Sequence, residues 1–558
     1  MQKKKNNLFV KGRNFVIVAL ISLSIVVSAG FVNKNFELTK NLDIFATLYR
    51  ELALNYVDEV NPSELINTAI NSMLGTLDPY TNFIPESEIE DYRFMTTGKY
   101  GGIGALIQYR DSTVVISQPY KDFPAYKAGL IAGDVILEVN GVSTSKLGLD
   151  DVRELLHGQP DTEVELLVKR YGEEEAVVKT VVREIIQVDN VPYYSIVNDN
   201  YGYIKLTGFT QSASAEFIKA FDDLRNNNEI EGLIIDLRGN GGGLLNEAVN
   251  IVNLFVEKDQ IVVETKGKIE ERNTSHKTLN QPVAPNIPLT ILTDMTSASA
   301  SEIVAGAIQD FDRGVIVGER TFGKGLVQNI VPLTYNTQLK VTIAKYYIPS
   351  GRCIQAVDYA KRNEDGSIAK IPDSLKVEFT TKNGRIVYDG GGIEPDVNTA
   401  KDTTANITYE LMRKYMIFDY ASKFYHENNE IAAPEEFEIT EDIYNDFIEF
   451  TEKHDFDFST ESEKHLELIA EKAKEESYYE YINNDISELH NKLLSLKEND
   501  IYEYRDQIKM LLKDEIVSRY YYTNGRIRAS MKVDKDINEA LEILKDKNRY
   551  NSILSTQN

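Results

Sequence analysis

Gly232-Leu233-Ile234-Ile235-Asp236-Leu237-Arg238-Gly239-Asn240-Gly241-Gly242-Gly243 is a nearly continuous apolar run that ends in a glycine-rich turn. A stretch apolar on both faces predicts a strand covered by helices on both sides, as in a parallel sheet. Helical spacing follows from about Leu244 to Phe255. The pattern then recurs. Leu289 to Leu292 reads as a strand, Ser299 to Phe311 as a helix, and Val315-Ile316-Val317 as another strand. Buried runs alternating with helices predict an α/β core over residues 186–401.

The regions on either side read differently. Residues 36–95 alternate helical spacing with turn residues, and Asp78-Pro79-Tyr80-Thr81 marks a turn leaving a helix. Residues 96–185 carry short β-branched runs between glycines, Thr113 to Ile116 and Val164 to Val168, with helical spacing from Asp150 to Leu156. Residues 402–558 are rich in Glu, Asp, Lys and Tyr at helical spacing and carry no motif tied to chemistry. The expectation is a multidomain α/β protein with a mostly β module and helical N- and C-terminal regions.

Residues 1–35 read as a signal peptide or membrane anchor. Lys3, Lys4, Lys5, Lys11 and Arg13 precede an uncharged run of 18 residues, Phe15 to Val32, and Val27-Ser28-Ala29 offers a cleavage site. Basic residues on the leading side send the rest of the chain outward, to the periplasmic side of a bacterial envelope, exported or membrane-anchored. The net charge of -26 argues against nucleic acid as a partner. The one cysteine, Cys353, excludes an intramolecular disulfide and a cysteine-based zinc site. Neither a metal nor another cofactor is implied.

Chemistry concentrates in two segments. In Thr296-Ser297-Ala298-Ser299-Ala300-Ser301-Glu302, small residues at a strand-to-helix junction place a serine beside the free N–H groups of a new helix, which suit an oxyanion. Ser299 and Glu302 also have capping-box spacing, so Ser299 reads equally as a helix cap. A serine nucleophile needs a base. The chain has six histidines, and only His276 falls between residues 187 and 400, in a polar stretch without strand or helix signals. Lys324, in Thr321-Phe322-Gly323-Lys324-Gly325-Leu326-Val327-Gln328, is the alternative. Its flanking glycines permit close backbone approach, and Phe322, Leu326 and Val327 offer desolvation toward a lowered pKa.

These segments and their 25-residue separation resemble those of the C-terminal processing peptidases, or tail-specific proteases, a serine protease family of the S41 type. Leu77 to Thr81, Gly232 to Gly243, Tyr346 to Ile354 and Gly391 to Val397 match as well, so the resemblance runs from about residue 40 to 400. It implies a crotonase-like core with Ser299 as nucleophile, Lys324 as base and Gln328 orienting the lysine. The oxyanion hole would use the N–H of Ala300 and of Gly241 or Gly242. Asp310 matches a family position whose helical spacing points to structure and not to catalysis. Residues 96–185 resemble a PDZ domain. Gly101, Gly102, Ile103 and Gly104 would form its carboxylate-binding loop, and the strand from Ala105 and Leu106 to Tyr109 would accept an extended peptide. The implied activity is endoproteolysis of exported proteins recognised by their C-terminal tails. Peptide substrates and the membrane are the implied partners, and homo-oligomerisation stays open. The competing reading is a catalytically silent peptide-binding scaffold.

Overall fold

The computed structural model describes residues 36–110, 112–362, 368–399 and 404–555. The signal or anchor segment expected at 1–35 lies outside the described residues. Among the described residues, no helix is long and apolar enough to cross a membrane.

The chain divides into two compact units. The smaller holds a helix over residues 36–55 and a second helix, Pro62–Leu74, capped by the Asn61 side chain. The Tyr49 hydroxyl donates to the Pro62 carbonyl at 2.8 Å. Beyond the second helix, the Asp78 carboxylate accepts the N–H groups of Tyr80 and Thr81, both at 2.9 Å. The helix itself ends at Leu74 with Gly75 as its cap, and this Asx turn then redirects the chain at Asp-Pro-Tyr-Thr.

The larger unit is built on a six-stranded sheet in the order Tyr193–Val197, Tyr201–Lys205, Gly232–Asp236, Leu289–Thr293, Val315–Gly318, Val397–Asn398. The first pair is antiparallel and the others are parallel. Gly232–Asp236 and Leu289–Thr293 are buried at every position, as strands covered on both faces must be. One face packs on helices Ala213–Asn227, Leu245–Val252 and Ala300–Asp310 through Phe217, Phe221, Ile251, Ile303 and Ile308. The last two helices, Lys535–Lys545 and Lys547–Leu554, cover the other face: Ile537, Leu541, Leu544 and Tyr550 pack on Tyr203, Ile234, Leu292 and Val317. These helices belong to the core's layers although chain order places them in the C-terminal region.

Residues 105–182 form an antiparallel sheet with strands Ala105–Arg110, Thr113–Pro119, Val135–Val139, Glu163–Lys169 and Val177–Val182 in that spatial order, closed over by helix Leu149–Leu156. Ala105–Arg110 is an edge strand. This module docks on the helices that follow residue 404. Arg110 pairs with Asp419, its Nη2 donating at 2.5 Å, and its guanidinium lies 4.8 Å from the Tyr415 ring centre. Gln118 donates to the Thr523 hydroxyl at 2.9 Å, and Gly133 approaches Ser422 so closely that a Cβ there would lie 2.6 Å from its hydroxyl.

Candidate active site

Three serines alternate across the start of helix Ala300–Asp310, and their hydroxyls have different fates. Ser297 is buried and donates to the Leu237 carbonyl at 2.9 Å; Ser301 is buried and donates to the Asn240 carbonyl at 2.9 Å. Both bonds stitch the serine segment to the glycine turn, as does the Ala298 N–H donating to Asn240 at 3.0 Å. Neither flanking hydroxyl is available for chemistry, which leaves Ser299. Its backbone has φ 57° and ψ -111°, far from the extended conformation of an ordinary N-cap. A non-glycine residue there is strained, and a strained strand-to-helix turn is how hydrolases present a serine nucleophile. The glycine turn makes room for it. A Cβ on Gly242, whose φ is 97°, would lie 2.8 Å from the Ser299 Cβ and 2.9 Å from the Ala300 nitrogen.

Ala300 opens the helix, so its N–H lies at the positive end of the helix dipole. Within the glycine turn, the Gly239 N–H donates to Asp294 and the Gly242 N–H to the Asn240 side chain at 2.9 Å. Gly242 therefore shapes the site as a spacer while its amide is engaged.

Glu302 joins the serine to the lysine. The Ser299 N–H donates to it at 2.8 Å, as the capping box requires. The same carboxylate also accepts the Thr321 hydroxyl at 2.6 Å, the Gly323 N–H at 2.7 Å and the Lys324 N–H at 2.9 Å. Glu302 is fully buried, and burial pushes its carboxyl up to about 7 against the pull of these donors. On the other side the buried Tyr346 hydroxyl lies 3.1 Å from the Ser299 carbonyl and 2.5 Å from that of Lys324. The Phe322 N–H donates to Ser297 at 3.0 Å. Two segments 25 residues apart in sequence thus meet through one carboxylate, one phenol and one amide. Capping-box spacing exposed half of the role of Glu302; nothing in the sequence pointed to Tyr346 as the second brace.

The lysine loop holds its shape by close approach. Gly323 has φ 86°, and a Cβ there would meet Ala356 at 2.4 Å. Leu326 is buried and Val327 packs on the core, but Phe322, expected to help desolvate the amine, is 51% exposed. The reversal at Gly323 turns its neighbour outward. Gln328 lies on strand Leu326–Pro332 and donates to the Thr342 hydroxyl at 3.2 Å. His276 is on a strand, Thr274–Lys277, that sequence spacing did not reveal; it faces Val263 and hydrogen-bonds Thr274 at 3.1 Å. Asp310 is buried against Arg352 at 2.8 Å and accepts the Ser350 N–H, a structural pair that fixes the Pro349-Ser350-Gly351-Arg352 turn. Asp396 accepts the Ile316 N–H, and the Ile393 N–H donates to the Thr321 hydroxyl at 2.7 Å, so residues 391–397 support the Glu302 partner from behind. No group of metal-ligating side chains occurs among the described residues.

In the PDZ-like module, Gly101 and Gly102 lie within strand Lys99–Gly102, paired with Glu184–Gln187, and a Cβ on Gly101 would strike the Gly158 carbonyl at 2.2 Å. Of the expected loop residues, Ile103 and Gly104 lie outside any strand, just before Ala105–Arg110. Beside it, a groove of about 330 Å³ runs between Ala105, Leu106 and Ile107 on one side and Leu156 and His157 on the other.

A sequence profile described as peptidase family S41 matches residues 200–361, a PDZ domain profile matches 115–170, and one described as the C-terminal helical domain of a probable PDZ-protease matches 407–544. The carboxy-terminal-processing protease of Bartonella bacilliformis is 34% identical over 348 residues, covering 62% of this chain and 80% of that protein. The chain belongs to the carboxy-terminal processing proteases. Within that family, the processing protease CtpB of Bacillus subtilis is 32% identical over 377 residues, covering 64% of this chain and 77% of its own. The solved structure of a photosystem II D1 C-terminal processing protease covers 64% of this chain and 87% of its own at 28% identity, with a TM-score of 0.36. This protein is a serine peptidase with an S41 core, a PDZ domain and a C-terminal helical domain.

Proposed function

We propose that this peptidase works through a Ser299–Lys324 dyad and cuts exported proteins whose C-terminal tails its PDZ groove has captured. The observation that carries the dyad is the Glu302 carboxylate, which holds the strained Ser299 turn and the Lys324 loop at once. In the reaction, the neutral Lys324 amine takes the Ser299 hydroxyl proton as the serine oxygen attacks the scissile carbonyl. The oxyanion receives the Ala300 N–H and the N–H of Gly241, since that of Gly242 is engaged. The resulting lysine ammonium then protonates the leaving amine, and a water deprotonated by the same amine hydrolyses the acyl-enzyme. Gln328 supports the lysine from the adjoining strand. Proteins routed past the membrane by the same kind of basic and apolar leader as residues 1–35 are the substrates.

The test is cleavage of an unfolded tagged protein. Ser299→Ala and Lys324→Ala should each lose at least about a thousandfold in activity while keeping the fold, because nucleophile and base act as one unit. Lys324→Arg should be equally inactive, as a guanidinium keeps its proton. Wild-type activity should rise with pH as the amine loses its proton. Near-normal turnover in either alanine variant would overturn the dyad. Amidating the substrate tail should weaken binding by about 1.5–3 kcal/mol, the usual loss of a charge-assisted hydrogen-bond set.

A further inference from the structure

Six backbone N–H groups run from Leu237 to Gly242, and five of them have partners. Leu237 donates to the Leu292 carbonyl at 3.0 Å, Arg238 to Asp236 at 3.0 Å, Gly239 to Asp294 at 3.1 Å, Asn240 to the Leu237 carbonyl at 3.1 Å and Gly242 to the Asn240 side chain at 2.9 Å. Among the described residues the Gly241 N–H has no partner, and a Cβ there would meet nothing within 4 Å. An unpaired donor beside open space suits an oxyanion, provided the turn holds it in place.

Glycines cannot do the holding. In Arg238-Gly239-Asn240-Gly241-Gly242-Gly243 only two residues have side chains. Asn240 is fully buried and anchors within the core, on the Leu206 carbonyl at 2.8 Å and the Gly242 N–H. Arg238 is the other handle, and it reaches beyond the core.

Its guanidinium is gripped on two sides. Nε and Nη2 donate to the two oxygens of buried Asp236 at 3.0 and 2.7 Å. Nη1 donates to Asp534 at 3.0 Å and to Asp536 at 2.7 Å, at the start of helix Lys535–Lys545. Asp536 in turn accepts the Thr399 hydroxyl at 2.6 Å, and Asp534 accepts the N–H groups of Asp536 and Ile537 at 3.0 Å. The Lys205 ammonium donates to the Arg238 carbonyl at 2.7 Å, so backbone and side chain are both fixed. These charged groups are mostly buried, where their hydrogen bonds are strong and directional.

The C-terminal helices meet the PDZ domain quite differently. There helix Arg505–Ser530 breaks at Tyr522, with φ 59° and ψ -157°, and a cavity of about 930 Å³ separates Tyr520 and Tyr522 from Tyr120 and Tyr126. At Arg238 the contact is direct and charged, and it falls within the span of the C-terminal helical domain profile.

We propose that Asp534 and Asp536 are positioning residues of the active site: they clamp Arg238, and the clamp fixes the glycine turn so that the Gly241 N–H meets the oxyanion. The C-terminal helical domain thereby sets part of the catalytic geometry while touching no reacting atom. The proposal rests on the dyad and oxyanion reading, and its test separates the two.

The probe is a peptide aldehyde, compared with the matching peptide alcohol. The Ser299 oxygen adds to the aldehyde carbon, the carbonyl pair becomes the oxyanion, and the serine proton passes to Lys324; the alcohol binds without that step. The ratio of the two affinities therefore reads the tetrahedral adduct and not the fit of the peptide. In full-length protein carrying Asp534→Asn with Asp536→Ala, where Asn keeps the helix cap, the ratio and kcat should each fall by about tenfold, less than outright loss of an oxyanion donor. KM and alcohol affinity should stay within about twofold. Asp536→Asn alone, which keeps the shape and loses the charge, should lower the ratio by about threefold. Tyr550→Phe is the control: it removes the bond from the last helix to the Leu289 N–H at 3.0 Å, loosening the same helices without touching Arg238. Its ratio should stay within about twofold. A ratio unchanged in both aspartate variants, or lowered equally by Tyr550→Phe, overturns the clamp. If wild-type protein binds aldehyde no better than alcohol, or Ser299→Ala keeps the preference, the dyad and oxyanion reading fails instead.

Discussion

The catalytic turn and the PDZ–helix seam are both built from loops, yet they are held in opposite ways. Around Ser299 one buried carboxylate accepts four donors, a buried phenol meets two carbonyls, and both flanking serines are tied to the glycine turn. Among the described residues the seam's side-chain contacts include a bidentate ion pair, a side-chain amide bond, an arginine over a tyrosine ring and tyrosine rings around open space. A dense polar network in a dry site pre-organises geometry and leaves one arrangement. A sparse seam with a strained backbone leaves a region able to open locally without unfolding the rest. The turn at Ser299 is held in one arrangement, and the seam is held loosely.

Gly242→Ala should break the contrast most sharply. Its methyl would sit 2.6 Å from the Ala298 carbonyl and 2.8 Å from the Ser299 Cβ, so the Ser299 side chain must move. Displacement on the order of 1 Å should cost about a hundredfold in kcat/KM. Tail binding, read by fluorescence anisotropy, should be unchanged. A variant with normal kcat/KM would mean that the turn is softer than its packing implies.

Glu302→Gln should cost somewhat less, about thirtyfold in activity, because an amide accepts on one side only and its NH2 must oppose either the Ser299 and Lys324 N–H groups or the Gly323 N–H. Its pH signature is specific. Folding raises the Glu302 pKa from the ordinary carboxylate value to about 7, so the folded chain binds this proton more tightly. That contribution to stability is complete below about pH 4.3 and is lost as pH rises through 7, on the order of 3 kcal/mol in all. Denaturant midpoints of wild type minus variant should fall across that window. A flat difference would show that Glu302 does not titrate there.

The smallest effect belongs to the seam. Arg110→Ala removes a half-buried pair with Asp419 and should weaken docking by about 1–2 kcal/mol. Hydrogen exchange should quicken in residues 105–119 and 415–426, with global stability nearly unchanged. Equal protection loss in strand Gly232–Asp236 would mean that seam and core open together.

Much of the fold and of the catalytic turn was legible in the chain. Buried runs such as Leu289 to Leu292 left no alternative to a covered strand, and the resemblance set the Ser299 and Lys324 segments side by side, which meet at the Glu302 carboxylate. The Glu302 network was only half visible, because spacing reports a partner three residues away and not ones at Thr321 and Gly323. Phe322 looked like a shield for the amine, but a positive φ at Gly323 cannot be read from composition. The break at Tyr522 did have a signal, the turn dipeptide Asn524-Gly525 two residues on, which the helical spacing on both sides masked. Helical spacing was read over residues 402–558 as one region, which did not show that residues 535–554 cover the sheet.

The late position of that covering pair bears on how the protein is made. Chain leaving a ribosome carries the Ser299 turn out long before helices Lys535–Lys545 and Lys547–Leu554 exist, an interval of some tens of seconds at ordinary elongation rates. Until then Tyr203, Ile234 and Val317 lack the helices that cover them, and Arg238, at the root of the glycine turn, lacks Asp534 and Asp536, to which it pairs at 3.0 and 2.7 Å. The sheet that carries the Ser299 turn is therefore completed on its second face only after residues 535–554 have been made.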